Sequence, residues 1–282
     1  MRLADDWKDY KVLSTGDGYK LEKWGEFNLL RPDPQVIWHA ESDLFKRKDV
    51  DAFYEKKEGG GLWHYKKPLK DNWQISWHEL KFIVKPMGFK HTGIFPEQAV
   101  NWRLMQDLVK ESGREVKVLN LFAYTGGASV ALSKAGALVT HVDASKGMVE
   151  RAKENAKLNN ISNIRFIVDD CQKFIEREIR RGNFYDAIVM DPPSYGRGPS
   201  GEMWKLEDNL ADFVALTKKV LSKKPLFVLI NSYTTGLQPT VIGNLLKGVF
   251  GAEGVSADEI GLPTCEEYIL PCGATGVKVW KN

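Results

Sequence analysis

The second half of this chain repeats one pattern: a short apolar run, a turn, then an amphipathic stretch. That rhythm predicts parallel strands alternating with helices. The first run ends in Asn120-Leu121-Phe122-Ala123 and passes through Tyr124-Thr125-Gly126-Gly127 directly into a helix pattern. Leu138-Val139-Thr140-His141-Val142-Asp143 follows as a second strand, with Ala144-Ser145 beyond it. A third, Ile164-Arg165-Phe166-Ile167-Val168, runs into Asp169-Asp170-Cys171. A fourth, Tyr185-Asp186-Ala187-Ile188-Val189-Met190, runs into Asp191-Pro192-Pro193-Ser194-Tyr195. Residues 206–221 then read as a helix, 226–230 as a fifth strand and 238–249 as another helix. Two strand-like pieces, 255–260 and 268–280, suggest a terminal antiparallel hairpin that covers a sheet edge.

Residues 1–90 read differently. Imperfect period-two alternation at 61–65 and 73–77 is broken by Thr15-Gly16-Asp17-Gly18, Arg31-Pro32-Asp33-Pro34 and Glu58-Gly59-Gly60-Gly61. A small β-rich domain, antiparallel in character, is expected over 1–90. Pro96 marks the first turn of a helix carrying Val100, Leu104, Met105, Leu108 and Val109 at helical spacing, which Gly113 ends. The α/β domain therefore occupies 91–282.

Bulk composition sets bounds only. With 282 residues, 43% apolar and 27% charged, the chain suits a globular protein of one or two domains. A net charge of +3 permits a nucleic-acid partner without demanding one. No apolar run approaches the roughly 18 residues that span a bilayer, and MRLADDWKDY has no apolar signal core. Cys171, Cys265 and Cys272 have no metal-ligand spacing, so no metal site is expected and a reducing cytoplasmic setting is. Seven of the nine tryptophans lie in residues 1–102, which sets that part of the chain apart.

The strand ends carry the chemistry. A glycine turn between a buried strand and a helix lets backbone approach a ligand closely, and an acid ending the next strand can accept two ribose hydroxyls. A dinucleotide would need G-x-G-x-x-G for its pyrophosphate, but Gly126-Gly127 is followed by Ala128-Ser129-Val130. S-adenosylmethionine has no phosphate and needs only a narrow turn. Phe122, Ala123, Tyr124, Thr125, Gly126 and Gly127 are thus candidates for its methionine end. Asp143, with Ala144 and Ser145, is the candidate for its ribose, and Asp170 with Cys171 for its adenine. In Asp191-Pro192-Pro193-Ser194-Tyr195 two prolines stiffen a turn of acceptors able to orient an incoming nucleophile, and Tyr195 is able to stack on a base.

These residues, together with the Glu154-Asn155 and Leu158-Asn159 pairs and Thr92-Gly93-Ile94-Phe95-Pro96-Glu97-Gln98, resemble the motifs of class I S-adenosylmethionine-dependent methyltransferases. They are most similar to the bacterial branch that contains the large-subunit ribosomal RNA methyltransferases. The resemblance covers about two thirds of the chain. It implies a Rossmann-like seven-stranded sheet, S-adenosylmethionine as cofactor, RNA as partner, and Asp191, Pro192, Pro193 and Tyr195 at the site of transfer. Part of that family makes 5-methylcytosine with a cysteine placed after the fifth strand. Here Ser232 stands at that place, so a nitrogen or oxygen acceptor and direct transfer are expected. A small-molecule or protein acceptor stays open, as does a non-catalytic module that binds cofactor and RNA. The glycine-rich run 196–201 is read as a substrate loop, with Arg197 as a phosphate contact.

Overall fold

The computed structural model describes residues 1–197, 203–234 and 236–281. Two compact units emerge: Met1–Arg2, Val100–Ile260 and Gly273–Asn282 form one, and Leu3–Ala99 with Gly261–Cys272 the other.

The larger unit is built on the expected strand–helix alternation. Strands of its sheet are β1 (Lys117–Leu121), β2 (Leu138–Asp143), β3 (Ile164–Val168), β4 (Ala187–Met190), β5 (Phe227–Ser232), β6 (Val255–Pro263) and β7 (Ile269–Val279). The sheet order is β6-β7-β5-β4-β1-β2-β3, with the two-residue strand Arg2–Leu3 beyond β6. β3, β2, β1, β4 and β5 are mutually parallel, and β7 runs antiparallel to β5. The helices are α1 (Ala99–Glu111), α2 (Gly127–Lys134), α3 (Lys146–Leu158), α4 (Cys171–Arg181), α5 (Leu206–Thr217) and α6 (Pro239–Phe250). The run read as helix over 206–221 stops being α-helical at Thr217 and closes as a 3-10 turn, Lys218–Val220. Every residue of β4 and β5 is buried, which is why those strands read as continuous apolar runs rather than alternating ones.

Because β1 lies between β2 and β4, the chain winds outward from β1 in both directions. The carboxyl ends of five parallel strands therefore share one edge, with a switch point between β1 and β4 where open α/β sheets hold ligands.

The smaller unit contains a five-stranded sheet of Tyr10–Gly16, Tyr19–Trp24, Phe27–Pro32, Ala52–Lys57 and Gly60–Tyr65 in that order, and a separate hairpin of Trp73–Trp77 with Leu80–Val84. Its antiparallel character has one exception, since Phe27–Pro32 and Ala52–Lys57 pair in parallel. Asp17 and Gly18 both adopt positive φ, +52° and +81°, as a two-residue hairpin turn following the strand twist requires. Trp7, Trp24, Trp73 and Trp77 are buried in its core, whereas Trp38 and Trp63 are half-buried.

An ion pair is sealed inside this unit. Fully buried Glu22 accepts from Arg31 through Nε at 2.6 Å and Nη2 at 2.8 Å, and from the Tyr10 hydroxyl at 2.6 Å. Lys20 bonds to Asp33 at 3.1 Å beside it. Burial works against the charged carboxylate, but Arg31 and Lys20 outweigh it and bring its pKa down to about 2. A folded value below the ordinary 4.5 means that the pair stabilises fully above that pH and loses its effect as pH falls through 2. Arg31→Met, which strands the carboxylate, is expected to cost about 3–5 kcal/mol in urea unfolding at neutral pH. The penalty should shrink towards pH 2; a penalty independent of pH would dismiss the ion pair as its origin.

Candidate functional site

The turn after β1 is drawn tight by its own backbone. Phe122 and Tyr124 take φ of +55° and +49°, unusual for residues bearing a Cβ, and Gly126 takes +84° as the N-cap of α2. This winding turns successive N–H groups inward. Phe122 N–H donates to Cys171 Sγ at 3.3 Å, Tyr124 N–H to Asp143 Oδ2 at 2.8 Å, and Ala123 N–H to the Val142 carbonyl at 3.1 Å. Gly126 is required for space as well as for φ, since a Cβ there would stand 2.9 Å from the Ala152 Cβ on α3.

Asp143 joins two loops. One oxygen takes the Tyr124 N–H and the other, Oδ1, takes the Ser145 N–H at 2.8 Å. Each carboxylate oxygen has a second lone pair, so the group can accept a diol while keeping both backbone bonds. Burial raises its pKa, and the two N–H donors pull in the opposite direction. Ala144 and Ser145 lie exposed beside it.

The β3 end differs in detail from a purely ligand-binding pair. Asp170 is the N-cap of α4, with Oδ1 accepting the Lys173 N–H at 2.9 Å, and Asp169 is paired with Arg177. Cys171, the first residue of α4, is buried and its thiol pKa is driven upward by that burial, so it packs as a neutral group. Among these residues the structure brings Phe122, Asp143 and Cys171 together around one turn, and it engages Asp170 as a cap next to them.

Beneath the turn lies a polar layer that sequence reading assigned no role. Asn120 Nδ2 donates to Ser129 Oγ at 2.8 Å, and Ser129 Oγ lies 2.9 Å from Nδ1 of His141, whose pKa burial lowers to about 3. Asn155 on α3 donates to the Thr125 carbonyl at 2.9 Å, which explains an asparagine on the buried face of a helix.

At the β4 end, Pro192 is buried and Pro193, Ser194 and Tyr195 are exposed, Tyr195 at 52%. Asp191 is held from below by a relay through three buried residues. Asn101 Nδ2 on α1 donates to Thr275 Oγ1 at 3.0 Å, the Thr275 hydroxyl to Asn231 Oδ1 at 2.6 Å, and Asn231 Nδ2 to Asp191 Oδ1 at 3.1 Å. Asn231 and Thr275 face each other across the β5–β7 ladder. Three buried polar residues spaced over 175 positions of chain were invisible as a unit in the sequence. Ser194 Oγ meets Thr234 Oγ1 at 2.7 Å, and Ser232, standing at the nucleophile's place, is buried and accepts the Thr234 N–H at 3.1 Å.

The glycine-rich run was expected to form no element. Instead Tyr195–Arg197 pairs antiparallel with Met203–Lys205. The cause is the return arm: Trp204 and Leu206 bond back to the carbonyls of Pro193 and Ser194 in the loop after β4, which fixes the pairing despite Gly196. Gly198 to Gly201 and the Arg197 side chain, read as a phosphate contact, lie outside the described residues.

A glycine-wound turn, a half-buried acid with two backbone bonds and a diproline loop at one sheet edge match a known pattern. The family model for S-adenosylmethionine-dependent methyltransferases matches residues 38–215. The chain belongs to this family. Curated relatives include the ribosomal RNA large subunit methyltransferase K/L of Pseudoalteromonas translucida, 35% identical over 54% of this chain and 21% of that protein. The ribosomal RNA large subunit methyltransferase I of Aeromonas salmonicida is 32% identical over 68% of this chain and 47% of that protein. The chain thus spans from about a fifth to about half of the length of these two relatives. The solved S-adenosylmethionine-dependent methyltransferase of Agrobacterium tumefaciens superposes with a TM-score of 0.93 at 34% identity, over 99% of this chain and 93% of that one. As a member of this family, the protein has S-adenosylmethionine as its cofactor, and the α/β sheet with a β-rich N-terminal region is the architecture expected.

The glycine turn offers a direct check. Gly126→Ala should lower stability by more than about 1 kcal/mol, because a Cβ is strained in the left-handed region and meets Ala152. Adding Ala152→Gly should restore part of the loss in urea denaturation. Equal stability of Gly126→Ala and wild type would mean the turn tolerates a side chain after all.

Proposed function

We propose that this methyltransferase acts on RNA, ribosomal RNA in the first place, and transfers the methyl group directly to a nitrogen or oxygen atom of a base. The observation that carries the reading is the acceptor loop: Asp191 is fixed by Asn231 at 3.1 Å, two prolines stiffen the turn after it, and an exposed Tyr195 ring stands beside them. The names of the curated relatives support RNA as the acceptor. Phe122 to Gly127 would hold the methionine end of the cofactor, Asp143 its ribose, and Asp170 with Cys171 its adenine edge.

When bound, S-adenosylmethionine supplies a methyl group already activated by its positively charged sulfur. The task left to the protein is alignment. Asp191 would accept the N–H or O–H of the incoming base and turn the attacking lone pair inward, and Tyr195 would stack on the ring. A carbon acceptor would need a thiolate to add to the ring, yet no cysteine lies between Cys171 and Cys265 in the sequence. With ribosomal RNA as the acceptor, the enzyme would act in the cytoplasm.

Deleting the gene and comparing the nucleosides of total RNA by mass spectrometry should show the loss of one methylated base. Unchanged RNA, with labelled methyl groups entering protein or small molecules instead, would replace RNA as the acceptor. Asp143→Ala should weaken S-adenosylhomocysteine binding by about a hundredfold or more, since two charge-assisted bonds of roughly 1.5–3 kcal/mol each are lost. Calorimetry giving equal affinities would remove Asp143 from the ribose. Replacing Cys171, Cys265 and Cys272 by serine should each leave turnover within about tenfold, a barrier change of about 1.4 kcal/mol. Covalent trapping on RNA containing 5-fluorocytosine would instead reveal a thiol mechanism.

A further inference from the structure

We propose that Trp204 is a positioning residue that locks the acceptor loop to the turn after β1, so that one side chain sets the approach of the acceptor to the cofactor. Its indole Nε1–H donates to the Pro193 carbonyl at 2.7 Å. The same ring stands 5.4 Å from the Phe122 ring at 48° and 5.5 Å from Phe213 at 86°, and Phe122 lies 5.3 Å from Phe213. Three rings thus close a triangle. Phe213, buried on α5, is its anchored corner, and Phe122 is the residue at which the chain enters the left-handed turn after β1.

The diproline makes such a lock necessary. Each proline ring fixes φ and removes an N–H, so Pro192 and Pro193 cannot donate hydrogen bonds that would close their own turn. The ψ of Pro192 is restricted by the proline that follows it, but the ψ of Pro193 stays free. Rotation about ψ of Pro193 would swing its carbonyl and, with it, Ser194 and Tyr195. Trp204 holds that carbonyl, and two residues later the Leu206 N–H holds the carbonyl of Ser194 at 3.0 Å. Two successive carbonyls next to Asp191 are therefore fixed from the arm that carries Trp204, whose ring is set against Phe122. A displacement of about 1 Å in such a loop can cost about a hundredfold in rate.

Trp204→Phe separates this role from packing, because it keeps an aromatic ring in the triangle while removing the donor to Pro193. S-adenosylhomocysteine affinity should stay within about threefold, since the ring against Phe122 remains. Turnover on total RNA from cells lacking the gene should fall by about ten- to hundredfold, with the KM for S-adenosylmethionine unchanged. Amide hydrogen exchange of the free protein should quicken at Leu206, whose bond to Ser194 depends on the Pro193 carbonyl being held. A variant with wild-type turnover and wild-type exchange at Leu206 would overturn the assignment. The kinetic arm rests on RNA as the acceptor, and the exchange arm does not. If the wild-type protein fails to methylate that RNA, the reading of the acceptor falls and exchange at Leu206 alone decides the role of Trp204.

Discussion

The Asp143 carboxylate is the constraint around which the carboxyl ends of β1 and β2 are organised. A half-buried charged group at the end of a buried strand needs hydrogen-bond donors, and it finds one N–H on either side, from Tyr124 and Ser145. Those bonds draw the turn after β1 and the loop after β2 together. The same bonds favour the winding that puts Phe122 and Tyr124 in left-handed conformations, a strain of about 1–3 kcal/mol each that isolated chain would not sustain. The turn and the acid are therefore one object. Removing either leaves the other without its partner.

The loop after β4 solves the same problem by a different route. Asp191 is steadied by side chains rather than by its own backbone: Asn101, Thr275 and Asn231 form a buried relay in which each donor has one direction to point. Because the Asn231 oxygen accepts from Thr275, its amide nitrogen is obliged to face Asp191. Such a buried chain of hydrogen bonds is rigid, since breaking any link leaves a polar group without that partner in low dielectric. Elements from α1, β4, β5 and β7 converge on it, which ties the geometry of the loop to the sheet.

The tryptophan-rich N-terminal region carries a different lesson. Exposed aromatic rings would suggest stacking on bases, but most of these rings serve the interior. Trp24 is fully buried, its face meets the Arg31 guanidinium at 5.1 Å, and Trp73 donates its indole N–H to the Trp24 carbonyl at 2.8 Å. A unit this small has little apolar volume, and large rings together with a sealed Glu22–Arg31 pair fill it. Trp38 and Trp63 are only half-buried, and even they donate their N–H groups internally, to Thr15 and Met87.

Periodicity in the chain was sufficient to place the five parallel strands and the helices between them, because buried parallel strands are continuous apolar runs, whereas the seven-stranded sheet followed from the family resemblance. The glycine turn, Asp143 and the diproline loop were legible too, since each depends on local chemistry within a few residues. The strand at Tyr195–Arg197 was not, for there pairing with Met203–Lys205 decided the outcome against the local glycine content, and α5 ended at Thr217, short of the periodic run. Asn101, Asn231, Thr275 and Trp204 carry no signal as isolated letters, and Asn120 and Asn155, though part of the motifs that resemble the family, do not reveal their bonding partners. Their roles arise only where strands far apart in the chain become neighbours, because a hydrogen bond or ring contact acts over a few ångströms and sequence separation says nothing of that distance.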